Sequence, residues 1–413
     1  MSEQAGRETK SYGTWQEKQG GVTLPRGFQA SGVHCGIKKS RPDLALIISE
    51  KQAQAAGMFT SNLVKAAPVL VTMEHLKSGV ARAIVINSGN ANACTGEKGL
   101  KDADAMASYV SSYLGIDVKE VLVASTGVIG KPLPMDNISK GITAAISNLS
   151  PGGSRDAAEA ILTTDQTVKE TALKGCISKV DVSIGGICKG SGMIHPDMAT
   201  MLAFITTDVS ITSAMLKKAL VPSVKRSFNM ISVDGDTSTN DMVLVMANGL
   251  AGNEIIDREG PDFNEFCLGL QEVMESLAKM IVRDGEGATK FIEIKVKHGK
   301  NVEEAGRIAR TVGSSNLVKT AIFGADPNWG RILAAAGRAG VDFRPDLIDV
   351  YIGDICIVRS GEGVCFNEAD VKNVLTKKDI KIVIDLNSGI GTACAWTCDL
   401  TYDYIKINAD YTT

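Results

Sequence analysis

Short apolar runs alternate with helical stripes along the whole chain. Leu44–Ile48, Ala83–Ile86, Val121–Ala124, Val180–Ile184 and Met201–Ile205 read as buried strands, because a strand covered on both faces needs apolar residues on each. Met242–Met246, Phe291–Val296, Tyr351–Val358 and Lys381–Leu386 extend the set. Thr401–Asn408 alternates at period two and predicts a last, half-buried strand near the C-terminus. Helices are expected over Ala103–Leu114, Asn137–Ile146, Arg155–Leu162, Ser213–Phe228 and Phe263–Val282. The last has the clearest stripe, with Phe263, Phe266, Leu270, Val273, Leu277 and Ile281 on one face.

Strand and helix are mixed throughout, so the fold class is α/β. No repeat and no Pro- or Ser-rich linker divides the chain. Its 413 residues therefore suit two to three domains or one interwoven body. A hydrophobic fraction of 44% supplies a core. The 44 basic and 47 acidic side chains leave a net charge of −3, which argues against nucleic acid or an anionic membrane as partner. No apolar run is long enough to span a bilayer, and the polar first twenty residues lack a signal-peptide core, so a cytoplasmic location is expected. Nine cysteines without ligand spacing read as buried free thiols of a reducing compartment.

Stock motifs fail on their own terms. Gly190-Ser191-Gly192 opens like a dinucleotide loop, but His195 stands where the third glycine belongs. Gly127–Lys131 is too short for a phosphate loop. Asp234–Asp241 begins like a calcium loop, yet Thr239 and Val245 occupy the glycine and bidentate-glutamate positions, leaving a polar loop of the helix-capping kind. With four histidines in all, a His-based triad or metal cluster is not expected.

Lys189–Asp208 (KGSGMIHPDMATMLAFITTD) is the most unusual segment: a Gly-rich loop runs through Met198-Ala199-Thr200 straight into an apolar strand. Two readings stand on these residues alone. One is a loop entering a buried strand. The other is self-cleavage at Ala199–Thr200, with Thr200 Oγ attacking the preceding carbonyl. The new N-terminal threonine would then be a nucleophile carrying its own base, an α-amine with an ordinary pKa of about 8.

The segment resembles the self-cleaving ornithine acetyltransferases of arginine biosynthesis, the bifunctional glutamate/ornithine N-acetyltransferases. Pro25–Phe28, Gly57–Asn62, Asn87–Gly96, Ser125–Gly130, Thr163–Asp165, Val233–Asp241 and Asp326–Arg331 carry the resemblance in the same order along nearly the whole chain. The resemblance implies a layered α/β sandwich split into residues 1–199 and 200–413, which stay together as one body. It implies a heterotetramer with two copies of each piece. Thr200 would be the nucleophile, and Thr126 with Gly127 the oxyanion hole. Thr163, Lys189, Thr200, Glu286, Asn408 and Thr413 would contact substrate. Read without the family, Lys189 is a surface lysine and Glu286 a solvated loop carboxylate. The implied reaction moves acetyl from N-acetyl-L-ornithine to L-glutamate by a ping-pong route. No metal or resident cofactor is expected, and acetyl-CoA stands as a second acetyl donor. The alternatives are a self-processing aminopeptidase, which would pass the acyl group to water, and an uncleaved amino-acid-binding protein.

Overall fold

The computed structural model describes residues 11–12, 14–195 and 201–410. Two sheets organise it, one of ten strands and one of seven. The large sheet runs in the order Ser11–Tyr12, Trp15–Lys18, Lys169–Ile177, Val180–Lys189, Leu202–Thr207, Met242–Ala247, Leu44–Phe59, Val80–Asn90 and Val121–Val128, with Phe28–Val33 also paired to Leu44–Phe59. Its central strands Leu202–Thr207 and Met242–Ala247 are buried at every residue and run parallel, which is why they read as unbroken apolar runs.

Side chains alternate between cores along these strands. Val121 and Val123 pack beneath Ala67–His75, Gly96–Leu114 and Met135–Ser147. Leu122 and Ala124 join Leu202, Phe204 and Leu244 in an inner core. Pro261–Arg283 lies between the sheets, touching Lys169–Ile177 and Val180–Lys189 on one side and Gly391–Cys398 on the other. Its predicted stripe is buried against both. The result is a layered α/β sandwich. Among the described residues no helix is long and apolar enough to cross a membrane.

Three expectations are corrected. Thr401–Asn408 is no strand: Tyr402–Asp410 is an α-helix. Thr401 Oγ1 accepts the Tyr404 amide and donates to the Gly287 carbonyl, closing a first turn where a strand would need a pairing neighbour. Tyr351–Val358 is a hairpin, Asp349–Ile352 with Ile355–Arg359, turned at Gly353 with φ of +60°. The polar segment 234–241 caps no helix but links Ile231–Ser232 to the central strand Met242–Ala247. The cysteines are free as expected, but only Cys188 and Cys398 are buried; Cys94 and Cys365 are exposed and the rest are half-buried.

Candidate active site

Thr126 and Gly127 lie near the end of the strand Val121–Val128, where its pairing with Val80–Asn90 becomes irregular. Gly127 has φ of +132°, and a Cβ there would overlap the backbone of Gly89 on the neighbouring parallel strand. Only glycine fits, for its conformation and for the close approach. Lys189 ends the strand Val180–Lys189, is 3% exposed, and its Nζ donates to Thr126 Oγ1 at 3.4 Å. A hydroxyl that accepts from lysine keeps its own hydrogen for another acceptor in the cleft.

Burial lowers the Lys189 pKa, while the nearby Asp165 carboxylate works to restore it. Asp165 is buried too. Its Oδ1 accepts from the Gly190 amide and from Lys169 Nζ, both at 2.7 Å, and its Oδ2 from the Thr163 amide at 3.0 Å. Burial pushes this carboxyl up, but Lys189 and Lys169 outweigh it and hold the pKa well below the usual range. Lys169 also reaches Asp284 at 2.5 Å. Two buried lysines thus face two buried carboxylates, with Thr163 and Lys189 fixed at the edge of the cluster.

Glu286 lies just beyond Pro261–Arg283 and is 8% exposed. Its amide donates to the Ser191 carbonyl at 2.9 Å, and Asn408 Nδ2, from the C-terminal helix, donates to Oε2 at 2.9 Å. Gly192 lies so close that any side chain there would overlap the Glu286 carboxyl.

Thr126, Gly127, Thr163, Lys189, Glu286 and Asn408 all line one cleft of about 610 Å³ measured out to its mouth. Neither bland reading survives: Lys189 is not a surface lysine, and Glu286 is not solvated. Ala199, Thr200 and Thr413 lie outside the described residues. Sequence reasoning missed Ser238, Thr239 and Asn240 in the lining, and Asp165, Lys169 and Asp284 beneath it. Polar residues packed into the rejected calcium loop were the signal for the first group. For the second, the signal was Asp165 and Asp284 flanking two expected ligands, Thr163 and Glu286.

Comparison with known proteins agrees over nearly the full length. The ArgJ family model matches residues 29–413. The arginine biosynthesis bifunctional protein ArgJ of Caldanaerobacter subterraneus subsp. tengcongensis is 52% identical over 398 residues, 95% of this chain and 99% of that protein. The protein of the same name from Bacillus subtilis is 50% identical over 395 residues, covering 95% and 97%. Among solved structures, the arginine biosynthesis bifunctional protein of Bacillus halodurans is 49% identical, with a TM-score of 0.49 over 50% of this chain and 98% of that one. Ornithine acetyltransferase of Mycobacterium tuberculosis, complexed with ornithine, is 42% identical, with a TM-score of 0.42 over 44% and 98%. With the family model spanning residues 29–413 and relatives at half identity from end to end, the chain belongs to the ArgJ family.

Proposed function

We propose that the chain transfers acetyl from N-acetyl-L-ornithine to L-glutamate in arginine biosynthesis, and accepts acetyl-CoA as a second donor. The observation that carries this reading is the convergence of Thr126, Gly127, Thr163, Lys189, Glu286 and Asn408, from distant parts of the chain, on one cleft. The relatives' shared name, arginine biosynthesis bifunctional protein, supports it.

The chain is cut at Ala199–Thr200 into residues 1–199 and 200–413. The freed α-amine takes the proton of Thr200 Oγ as that oxygen attacks the acetyl carbonyl. The Thr126 hydroxyl and the Gly127 N–H donate to the developing oxyanion. The C–N bond breaks, the amine takes a proton, and ornithine leaves an acetyl ester on Thr200. The glutamate amine attacks that ester and regenerates the hydroxyl. Lys189 and Thr163 hold the substrate carboxylate, and Glu286 pairs with the δ-ammonium of ornithine, with Asn408 and Thr413 closing the pocket. Threonine, its amine and the oxyanion hole supply the chemistry, so the reaction uses no metal or resident cofactor. The reading also includes a cytoplasmic location and assembly from two copies of each piece.

The test is Thr200→Ala. It is expected to give one full-length band on a denaturing gel and no acetyl transfer, whereas the wild type gives two bands of about half size. Complete cutting of the variant would assign cleavage to another protease. Full transferase activity would remove Thr200 as the nucleophile.

A further inference from the structure

The segment Ser238–Asp241 has no part in the reaction described so far, yet it touches both halves of the chemistry. Asn240 is buried, and both donors and the oxygen of its side-chain amide are engaged. Nδ2 donates to the carbonyls of Ala91 at 2.7 Å and Ser125 at 2.8 Å, while Oδ1 accepts from Thr239 Oγ1 at 2.5 Å. Two carbonyl partners on one end and a hydroxyl on the other leave a single orientation for the amide. Ser125 immediately precedes Thr126 and Gly127 on the strand Val121–Val128, and its own Oγ donates to Asn87 Oδ1 at 2.6 Å.

The next residue faces the other half. Asp241 Oδ1 accepts the Met201 amide at 2.9 Å, the N–H of the peptide that follows Thr200 in the chain. The Asp241 carbonyl accepts from the Thr60 amide at 3.0 Å, and the Met242 amide donates to the Met201 carbonyl at 3.2 Å. Burial pushes the Asp241 carboxyl well above its usual range, and asparagine keeps its shape and an oxygen acceptor. Adjacent Cα atoms are about 3.8 Å apart, so two consecutive side chains hold their partners at a fixed offset.

We propose that Asn240 and Asp241 are a positioning pair: Asn240 fixes the strand end that carries the oxyanion hole, Asp241 fixes the chain leaving Thr200, and their adjacency sets nucleophile and hole in register for acetyl transfer. The proposal rests on the reading of Thr200 as nucleophile.

The test mixes purified, cleaved enzyme with N-acetylornithine alone and follows ornithine release. The amplitude counts working sites, and the rate per site reports the chemistry. Asp241→Ala and Asn240→Ala are expected to lower the rate per site by about 10- to 100-fold, the scale of a small misplacement of reacting groups. KM should stay within about threefold of the wild type, because neither side chain is assigned a substrate contact. Asp241→Asn keeps an acceptor for the Met201 amide and is expected to recover the rate to within about fivefold. Lost amplitude with an unchanged rate per site would make the pair merely structural and overturn the proposal, as would Asp241→Asn as slow as Asp241→Ala. Thr200→Ala is run beside them. If it releases ornithine normally, the nucleophile assignment fails; if it is silent while the Asn240 and Asp241 variants are unimpaired, the positioning pair alone fails.

Discussion

Glu286 is held from three directions: Ser191 fixes its backbone, Asn408 one carboxylate oxygen, and Gly192 leaves the space its side chain fills. Such a group recognises charge without adapting its shape. Glu286→Gln keeps the shape and removes the charge. A charge-assisted hydrogen bond contributes roughly 1.5–3 kcal/mol. KM for N-acetylornithine should therefore rise about 10- to 100-fold at 1.4 kcal/mol per decade. Glutamate lacks the δ-ammonium, so acetyl transfer from preformed acetyl-enzyme to glutamate should suffer less. Measuring the two half-reactions separately checks this, and equal damage to both would make Glu286 a general shaper of the pocket. At this scale the sequence was informative where a residue type carries chemistry of its own. Thr126, Lys189 and Glu286 were legible through the resemblance. Asp165 and Asn240 were not, because their importance lies in what they hold. A buried carboxylate and a saturated amide look like any Asp and Asn until their partners are placed.

Four elements meet at Asp165 and Lys169: the loop carrying Thr163, the strand Lys169–Ile177, the end of Val180–Lys189 at Gly190, and Asp284 at the close of the long helix. The folded-state pKa of Asp165 is depressed. Its contribution to stability is therefore full above the ordinary Asp value of about 3.9, and is lost as the pH falls toward the folded value. Asp165→Asn should cost about 3–5 kcal/mol near pH 7, the scale of breaking a buried pair. The gap from the wild type should hold steady above about pH 4 and narrow as the pH falls below it, as read by denaturant unfolding. A gap independent of pH would place the cost in packing instead of charge. The apolar strands of the large sheet were legible because they are buried on both faces. The C-terminal helix was not: Tyr404 and Asn408 share a face at period two as well as at the i, i+4 spacing of a helix, and only the contacts with Gly287 and Glu286 decide between them.

Across the molecule, the order of strands carries more than the list of them. Leu202–Thr207 and Met242–Ala247 lie side by side in the large sheet, with Val180–Lys189 beyond one and Leu44–Phe59 beyond the other. Strands from residues 200–413 are thus enclosed on both sides by strands from residues 1–199. The seven-stranded sheet lies wholly within residues 200–413, but neither piece has the large sheet complete, and the first without the second would expose two open strand edges. After full denaturation, cleaved enzyme should regain activity at a rate that falls with dilution, while uncut Thr200→Ala chain should refold at a rate independent of concentration, followed by circular dichroism. Concentration-independent recovery of the cleaved form would show that one piece folds without the other. The position of Leu202–Thr207 therefore gives the protein a direction in time. Under the proposed cut at Ala199–Thr200, the intact chain is the template on which the sheet is threaded, and the mature protein no longer carries the covalent link that brought its pieces together. A mature molecule that unfolds would then reassemble only when its two separate pieces meet again, so at low concentration newly made chain would restore activity sooner than repair.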